Sequence, residues 1–371
     1  MGEAPGADED AQGALELMWR LQEILREERA RLPNGLGPED AAYLAERWDR
    51  KLARAERGEQ GWARFLAPMA IGEANPQDLV RQFEAALCAL EPRIAREPDF
   101  AGTVHFIFQP AEEGLGGARV MIEEGLFDRF NCDVVYGMHN MPGIDTGTFA
   151  IRTGAMLASS DSWEVTFKGT GGHGAMPDRG TDPTYVAAQF IVAVQGIVGR
   201  NVPPSQAAVL SVGHIHGGTP GSPNVIPSEV LIKGTARSFS ADVRVLLERR
   251  LAEVADGIAK AGGCTAVSKY HRRYPALVNA VEQTRVAVEA AALTVGRDKV
   301  NANATPLAGA EDFAFMLEKK PGAYIMIGNG GDGEGGCQNV HSPLYDFNDE
   351  ILTTGAAYWV NLVQLELGDP T

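Results

Sequence analysis

Two glutamates stand side by side in the segment Gln109–Gly114, which reads Gln-Pro-Ala-Glu-Glu-Gly. They follow the apolar run Val104–Phe108, which predicts a buried strand ended by Pro110. Ligands in open α/β sheets bind at the carboxyl ends of strands. There, Glu112 and Glu113 could divide the work, one binding a metal and the other moving protons. The alternative is a solvated pair that opens a helix, where negative charge suits the helix dipole.

Two histidines occupy comparable positions. His139 closes a second predicted strand, Val134–Met138, and His341 follows the glycine-rich stretch Gly328–Gly336. Either residue alone is also compatible with an ordinary hydrogen-bonded polar side chain. Together with Glu113 they form a carboxylate and two imidazoles, a ligand set suited to zinc.

Three polar residues between these motifs are candidates for substrate binding. His173 lies in the glycine-rich segment 169–177, where glycines allow a ligand to approach the backbone closely. Asn224 could donate to a carbonyl or carboxylate, and Arg237 could hold a carboxylate with two hydrogen bonds. The alternatives are an incidental histidine in a tight loop and a surface ion pair. The other histidines lack such context and are interpreted as structural: His105, His214, His216 and His271.

The elements that must position these residues change in character along the chain. Residues 1–99 predict helices only, over 11–31, 38–56 and 76–96. Residues 100–152 and 274–371 alternate short apolar strands with helices, as in an α/β catalytic domain. Residues 153–273 predict two helices and about four strands, an inserted α+β sandwich that forms a domain of its own. The fold class is therefore α/β, with an inserted α+β domain and an all-helical N-terminal segment.

Composition excludes several classes of function. The formal net charge is −16, from 33 basic and 49 acidic residues, which argues against nucleic acid and against an anionic membrane surface. The N-terminal residues have no apolar core typical of a signal peptide, and no apolar run is long enough to span a bilayer. The four cysteines are scattered, which favours a cytoplasmic location.

Seven motifs in a fixed order resemble one family closely: QPAEEG, YGMHN, GTGGHGAMP, PNVIPSE, GTARSF, GAEDFAFML and VHSP. They are similar to those of the co-catalytic metallopeptidases of the aminoacylase, hippurate hydrolase and carboxypeptidase G type, in the branch of N-acyl-amino-acid amidohydrolases. The resemblance covers about Phe100 to Leu367. It implies an incomplete two-domain architecture like that of zinc peptidases, in which the inserted sandwich is a dimerisation or lid domain. It implies hydrolysis of the amide bond of a small N-acyl amino acid, a divalent metal such as zinc or manganese, and a homodimer formed through the small domain.

The resemblance also implies residue roles. Glu112 would be the general base, and the metal ligands would be Glu113, His139 and His341. His173 and Asn224 would reach an active site, in the same subunit or in a partner subunit, while Arg237 would bind the substrate carboxylate. In GAEDFAFML, Ala310 stands where the family often has a second glycine.

The first hundred residues depart from the family pattern. The family carries H-x-H-P-E, D-M-D-A-L-P and H-x-C-G-H-D-G-H motifs there, and this segment has none of them. His105 is the first histidine, and Cys88, the only upstream cysteine, lies in an apolar helical pattern. Two metals in the family would thus become at most one here. Three readings stay open: an active amidohydrolase, a catalytically impaired relative that dimerises or binds a small carboxylate, and a chain whose N-terminal segment has been replaced.

Overall fold

Short apolar runs form the strands of two four-stranded sheets. A computed structural model describes residues 100–331 and 337–368. Its helices are α1 Glu112–Leu115, α2 Gly117–Glu123, α3 Leu126–Arg129, α4 Pro183–Asn201, α5 Ala241–Ala261, α6 Val281–Val295, α7 Ala314–Leu317 and α8 Leu352–Leu367. Its strands are β1 Val135–Pro142, β2 Phe149–Ala150, β3 Gly154–Leu157, β4 Ser160–Lys168, β5 Gly172–His173, β6 Ala208–Gly217, β7 Val225–Ile226, β8 Glu229–Ser238, β9 Thr265–Tyr274, β10 Leu277–Asn279, β11 Val300–Asn301 and β12 Gly322–Gly330.

The first sheet has the order β1-β12-β2-β11. Every residue of β12 is buried, because β12 is an inner strand covered on both faces, and its sequence is accordingly apolar or small throughout. β1 runs parallel to β12 and begins with Val135 opposite Gly322. The core around this sheet includes Phe149, Ile325 and Tyr358. This sheet is the predicted α/β layer, and its strand β1 contains His139.

The second sheet is antiparallel, in the order β6-β8-β4-β9. Residues on β4 alternate between buried and partly exposed, with Trp163, Val165 and Phe167 facing inward. These side chains pack with Phe190 of α4 and Leu247 of α5 in a second hydrophobic cluster. The α+β part of the predicted fold class is therefore present. The domain boundaries at residues 153 and 273 stay a prediction.

One expected strand is wrong. Val104–Phe108 forms no strand, and the only bridge nearby joins Phe100 to Gly368. An apolar run becomes a strand only where a neighbouring strand completes the hydrogen-bond ladder. In the sheet of the described residues β1 pairs with β12 alone, and residues 104–108 form no ladder with its other edge.

The other elements differ mainly in length. The predicted helix Val281–Val295 has the same bounds as α6, while the predicted helix Asp312–Leu317 is reduced to α7. The predicted helices at 11–31, 38–56 and 76–96 and the environment of Cys88 lie outside the described residues. Within 100–331 and 337–368, no helix combines the length and apolarity needed to cross a membrane.

Candidate active site

The loop that carries the two glutamates is fastened to a pair of buried carboxylates. The Gln109 amide donates to Glu311 at 2.7 Å and also to Asp312. The backbone N–H of Ala118, just beyond the loop, donates to the second oxygen of Asp312 at 2.8 Å. The relative exposure of Glu311 is 5% and that of Asp312 is 0%. Two acidic side chains from a distant turn therefore set the position of the loop Gln109–Gly117.

The backbone of this site is strained at two places. Ala111 has φ 52° and His341 has φ 66°, and they are the only residues other than glycine with positive φ in the described part of the chain. L-residues with side chains rarely adopt this conformation, and such strain concentrates at functional sites. Ala111 immediately precedes Glu112, and His341 is itself a predicted ligand. The strain therefore marks the same site that the motifs predict.

Glu112 is half-buried at the start of α1. Its pKa is raised to about 7, chiefly by burial and also by the nearby carboxylates of Glu311, Glu113 and Asp312, while a hydrogen bond from the Asp312 backbone N–H opposes the rise. A carboxylate whose pKa lies near neutrality is suited to accept and return a proton. The geometry is therefore compatible with the predicted role of general base.

Glu113 and His341 lie together at the surface. His341 Nδ1 is 3.6 Å from Glu113 Oε1, and the two side chains are 68% and 77% exposed. His139 lies inside β1, which continues to Pro142, so it does not close the strand as predicted. It is half-buried. Its Nδ1 donates to the Asn140 carbonyl, which leaves Nε2 with the lone pair that a metal needs. This is the tautomer that a histidine ligand adopts when its other nitrogen is hydrogen-bonded.

The fit of a divalent metal to these residues is partial. Glu113 and His341 offer a carboxylate oxygen and an imidazole nitrogen toward each other, which suits zinc or manganese. The structure does not join His139 to them, since residues 100–331 and 337–368 contain no group of three or more His, Cys, Asp or Glu arranged to hold a metal. The three-ligand set stays a prediction.

His173 and Asn224 are held by one small two-stranded unit. β5 and β7 pair with His173 opposite Val225, and the Gly174 N–H donates to the Asn224 carbonyl at 2.7 Å. His173 Nδ1 accepts from the Ala175 N–H at 3.1 Å, so the ring carries its proton on Nε2. Both side chains belong to exposed residues. The unit thus presents an imidazole N–H donor beside an amide.

Arg237 lies on β8, apart from this unit in the chain. Its Nη1 donates to Thr235 Oγ1 at 2.6 Å and to the Ala236 carbonyl at 3.0 Å, so these bonds stay within its own strand. The predicted carboxylate clamp would need the side chain to leave these partners. That role stays a prediction.

Sequence reasoning missed the residues that support the loop. Glu311 and Asp312 were part of the GAEDFAFML motif, but the motif alone gave them no role. The available signal was a pair of acidic residues directly before an apolar helix. If the fold buries such residues, they need hydrogen-bonding partners, because acidic side chains are rarely buried without them. Tyr274 and Arg273, which contact the loop from β9, carried no signal in the sequence.

Comparisons with known proteins identify the family. The model of peptidase family M20/M25/M40 matches residues 80–365, so the match starts within the segment 1–99 that was predicted to be unlike the family. Hippurate hydrolase of Campylobacter jejuni is 39% identical over 264 residues, which cover 71% of this chain and 67% of that protein. N-acetylcysteine deacetylase of Bacillus subtilis is 36% identical over 272 residues, which cover 73% of this chain and 68% of that protein.

The chain thus spans about two thirds of the length of these relatives. Among solved structures, a dinuclear metal-binding peptidase of the M20 family from Bacillus subtilis superposes with a TM-score of 0.64 at 30% identity. The superposition covers 78% of this chain and 72% of that one. Motifs, fold and sequence similarity over most of its length agree, and the chain belongs to peptidase family M20/M25/M40.

Proposed function

We propose that this chain is a metal-dependent amidohydrolase that cleaves the amide bond of small N-acyl amino acids. The observation that carries the proposal is the position of Glu112 beside the Glu113–His341 pair, on a loop fixed by buried carboxylates. The names of the two curated relatives support the substrate class, since one is called a hippurate hydrolase and the other an N-acetylcysteine deacetylase.

The proposed residue roles follow from the path of one proton during hydrolysis. Glu113 and His341 would hold a divalent metal with His139 as the third ligand, and a metal so bound polarises a carbonyl and acidifies water. Glu112 accepts a proton from the attacking water as the new C–O bond forms at the acyl carbon. It then returns this proton to the amide nitrogen as the C–N bond breaks, so that a carboxylic acid and a free amino group result.

The small two-stranded unit would stabilise the developing charge. His173 Nε2–H and the Asn224 amide are donors that an oxyanion or a substrate carbonyl accepts. Arg237 would bind the substrate carboxylate after leaving Thr235. Each of these roles needs the small domain to close over Glu112, in the same subunit or in a partner subunit.

A homodimer through the small domain is part of the proposal. β6 is an edge strand of the second sheet and exposes Val209 and Ile215. α4 exposes Tyr185 and Val192 on the same domain. Exposed edges and apolar side chains are features that association covers. Light scattering should give twice the chain mass, and Ile215→Glu should shift the protein to monomer, whereas a wild-type monomer would contradict the dimer.

We propose the cytoplasm as the compartment, on the basis of the scattered cysteines. Cys132, Cys264 and Cys337 are free thiols in the structure. Alkylation at the moment of lysis, followed by mass spectrometry, should find all four cysteines reduced. Stoichiometric disulfides would contradict this placement.

The central test pairs metal analysis with hydrolysis. The full chain is freed of metal, reloaded with zinc or manganese, analysed by elemental analysis and assayed with hippurate and N-acetyl amino acids. Glu112→Gln should lower kcat by about a hundredfold or more, because it removes the general base. Glu123→Gln, at the exposed end of α2, is the matched control and should keep full activity. Absence of both bound metal and turnover would refute the proposed enzymatic activity. It would favour a catalytically impaired member of the family that only binds a small carboxylate.

A further inference from the structure

The loop Gln109–Gly117 receives a second support that comes from the small-domain sheet. Tyr274, the last residue of β9, donates its hydroxyl proton to the Glu112 carbonyl. The same hydroxyl oxygen accepts from the Gly116 N–H at 3.1 Å. Arg273 Nη2 donates to the Gly114 carbonyl at 2.9 Å. Three polar backbone groups of the loop are thus paired with two consecutive side chains.

These contacts matter because the loop does not support its own conformation. α1 is distorted, with non-helical backbone angles at Glu113 and Gly114. Gly116 also has positive φ, at 70°. A loop of this kind keeps its shape only when its surroundings determine it. The Tyr274 hydroxyl links the Glu112 carbonyl to the Gly116 N–H, and so it bridges the part of the loop that contains Glu113.

The position of Arg273 is set by an irregularity in the sheet. β4 and β9 pair Ser160 with Tyr274 and Asp161 with Arg272, so Arg273 is an extra residue in the ladder. Such bulges redirect a side chain. The Arg273 N–H donates to Asp161 Oδ1 at 3.1 Å instead of to a strand neighbour. The bulge therefore directs the Arg273 side chain toward the loop.

Asp161 is itself rigidly held. Its side chain is fully buried and accepts from Arg244 at 2.5 and 2.9 Å and from the Tyr270 hydroxyl at 3.0 Å. A buried carboxylate with this many charge-assisted bonds has one favoured geometry. It fixes the end of β9 relative to the core of the small domain.

We propose that Tyr274 and Arg273 are positioning residues for Glu112, and that Asp161 sets their place. The sheet of the small domain is thereby fixed to the loop that bears the general base. This inference rests on the proposed function only for its kinetic consequence. The support of the loop itself follows from the contacts of β9 with the backbone of Glu112, Gly114 and Gly116.

Tyr274→Phe tests the first residue, because it removes the hydroxyl and keeps the ring packed edge-on against Phe315. In the full chain, hydrogen–deuterium exchange of amides throughout 112–118 should rise about tenfold, the effect of losing one or two buried hydrogen bonds. Tyr136→Phe, which removes a hydroxyl bonded to Glu366, is the matched control and should leave these amides unchanged. Faster exchange at Gly116 alone would overturn the proposal, because it would report only the lost acceptor.

Arg273→Met tests the second residue. Its control is Arg272→Met on the same strand, which breaks an exposed ion pair between Arg272 and Glu248 of α5. Only Arg273→Met should accelerate exchange in the loop. Equal effects of the two variants would overturn the role of Arg273.

Kinetics separate positioning from general stabilisation. With the metal-loaded wild type and an N-acyl amino acid, Tyr274→Phe should lower kcat about tenfold and change KM less than twofold, because Glu112 acts on water and not on substrate binding. A change confined to KM would overturn the positioning role. If the wild type shows no hydrolysis, the proposed function fails, and the exchange experiments still decide whether β9 supports the loop.

Discussion

His341 Nδ1 lies 3.6 Å from Glu113 Oε1, with both side chains open to solvent. The two residues come from opposite ends of the described chain and meet because the Glu113 loop and the His341 loop lie at the same site. At the surface, the contact between an imidazole and a carboxylate adds little to stability. The value of this pair lies in the metal that the two side chains could bind together.

Glu113→Gln and His341→Ala should each weaken zinc binding at least tenfold, because each removes a direct ligand from a small set. Isothermal titration of the metal-free full chain with zinc is the measurement. His271→Ala, an exposed histidine on β9, is the control and should keep the wild-type affinity. If neither ligand variant changes the affinity, the metal binds elsewhere.

Gln109→Leu should lower the free energy of unfolding by about 2 to 4 kcal/mol, because the buried carboxylates of Glu311 and Asp312 lose a shared donor. Denaturant unfolding is the measurement. Gln195→Leu on the exposed face of α4 should change the stability by less than about 0.5 kcal/mol. Equal stability of the two variants would show that the loop is held by other contacts.

Asp312 should make the protein less stable as pH rises from about 4 to 6. Its folded pKa is raised from 3.8 to about 6, chiefly by burial and also by Glu311, while the hydrogen bond from the Ala118 N–H opposes the rise. Between these values the folded state binds more protons than the unfolded state, so the free energy of unfolding falls with rising pH. The penalty is fully present above pH 6 and absent below pH 4, and it amounts to about 1 to 3 kcal/mol.

Asp312→Asn removes this titration. Its denaturation midpoint should therefore fall less than that of the wild type between pH 4 and 6, and the difference between the two curves isolates Asp312. Asp178→Asn, at an exposed position, should follow the wild-type curve. Parallel curves for wild type and Asp312→Asn would contradict the raised pKa.

The sequence predicted the outline of the site because its residues follow local rules. Glu112, Glu113 and His139 end apolar runs, and the glycines around His173 mark a loop. Pairing between distant segments could not be predicted in the same way. Val104–Phe108 has the composition of a buried strand, yet it forms no ladder with any strand of the described chain.

The supports of the loop were also beyond sequence reasoning. Asp161 occupies an inward position in the alternating pattern of β4, where an apolar residue is expected, and only the structure shows that Arg244 and Tyr270 pair with it. The extra residue at Arg273 does not disturb the composition of β9. A bulge depends on the register between two strands, and the register is a property of both.

His173 offers a test of the substrate-binding unit that is independent of the metal ligands. Because Nδ1 accepts from the Ala175 N–H, the neutral ring should carry its proton on Nε2. Nitrogen-15 chemical shifts of labelled histidine at pH 8 report the tautomer directly, with His173→Gln used to assign the signal. In the metal-loaded enzyme, His173→Ala should lower kcat about a hundredfold, as the loss of an oxyanion donor does. His271→Ala, an exposed histidine on β9, should leave kcat unchanged. A proton on Nδ1, or full activity of His173→Ala, would remove His173 from the proposed oxyanion site.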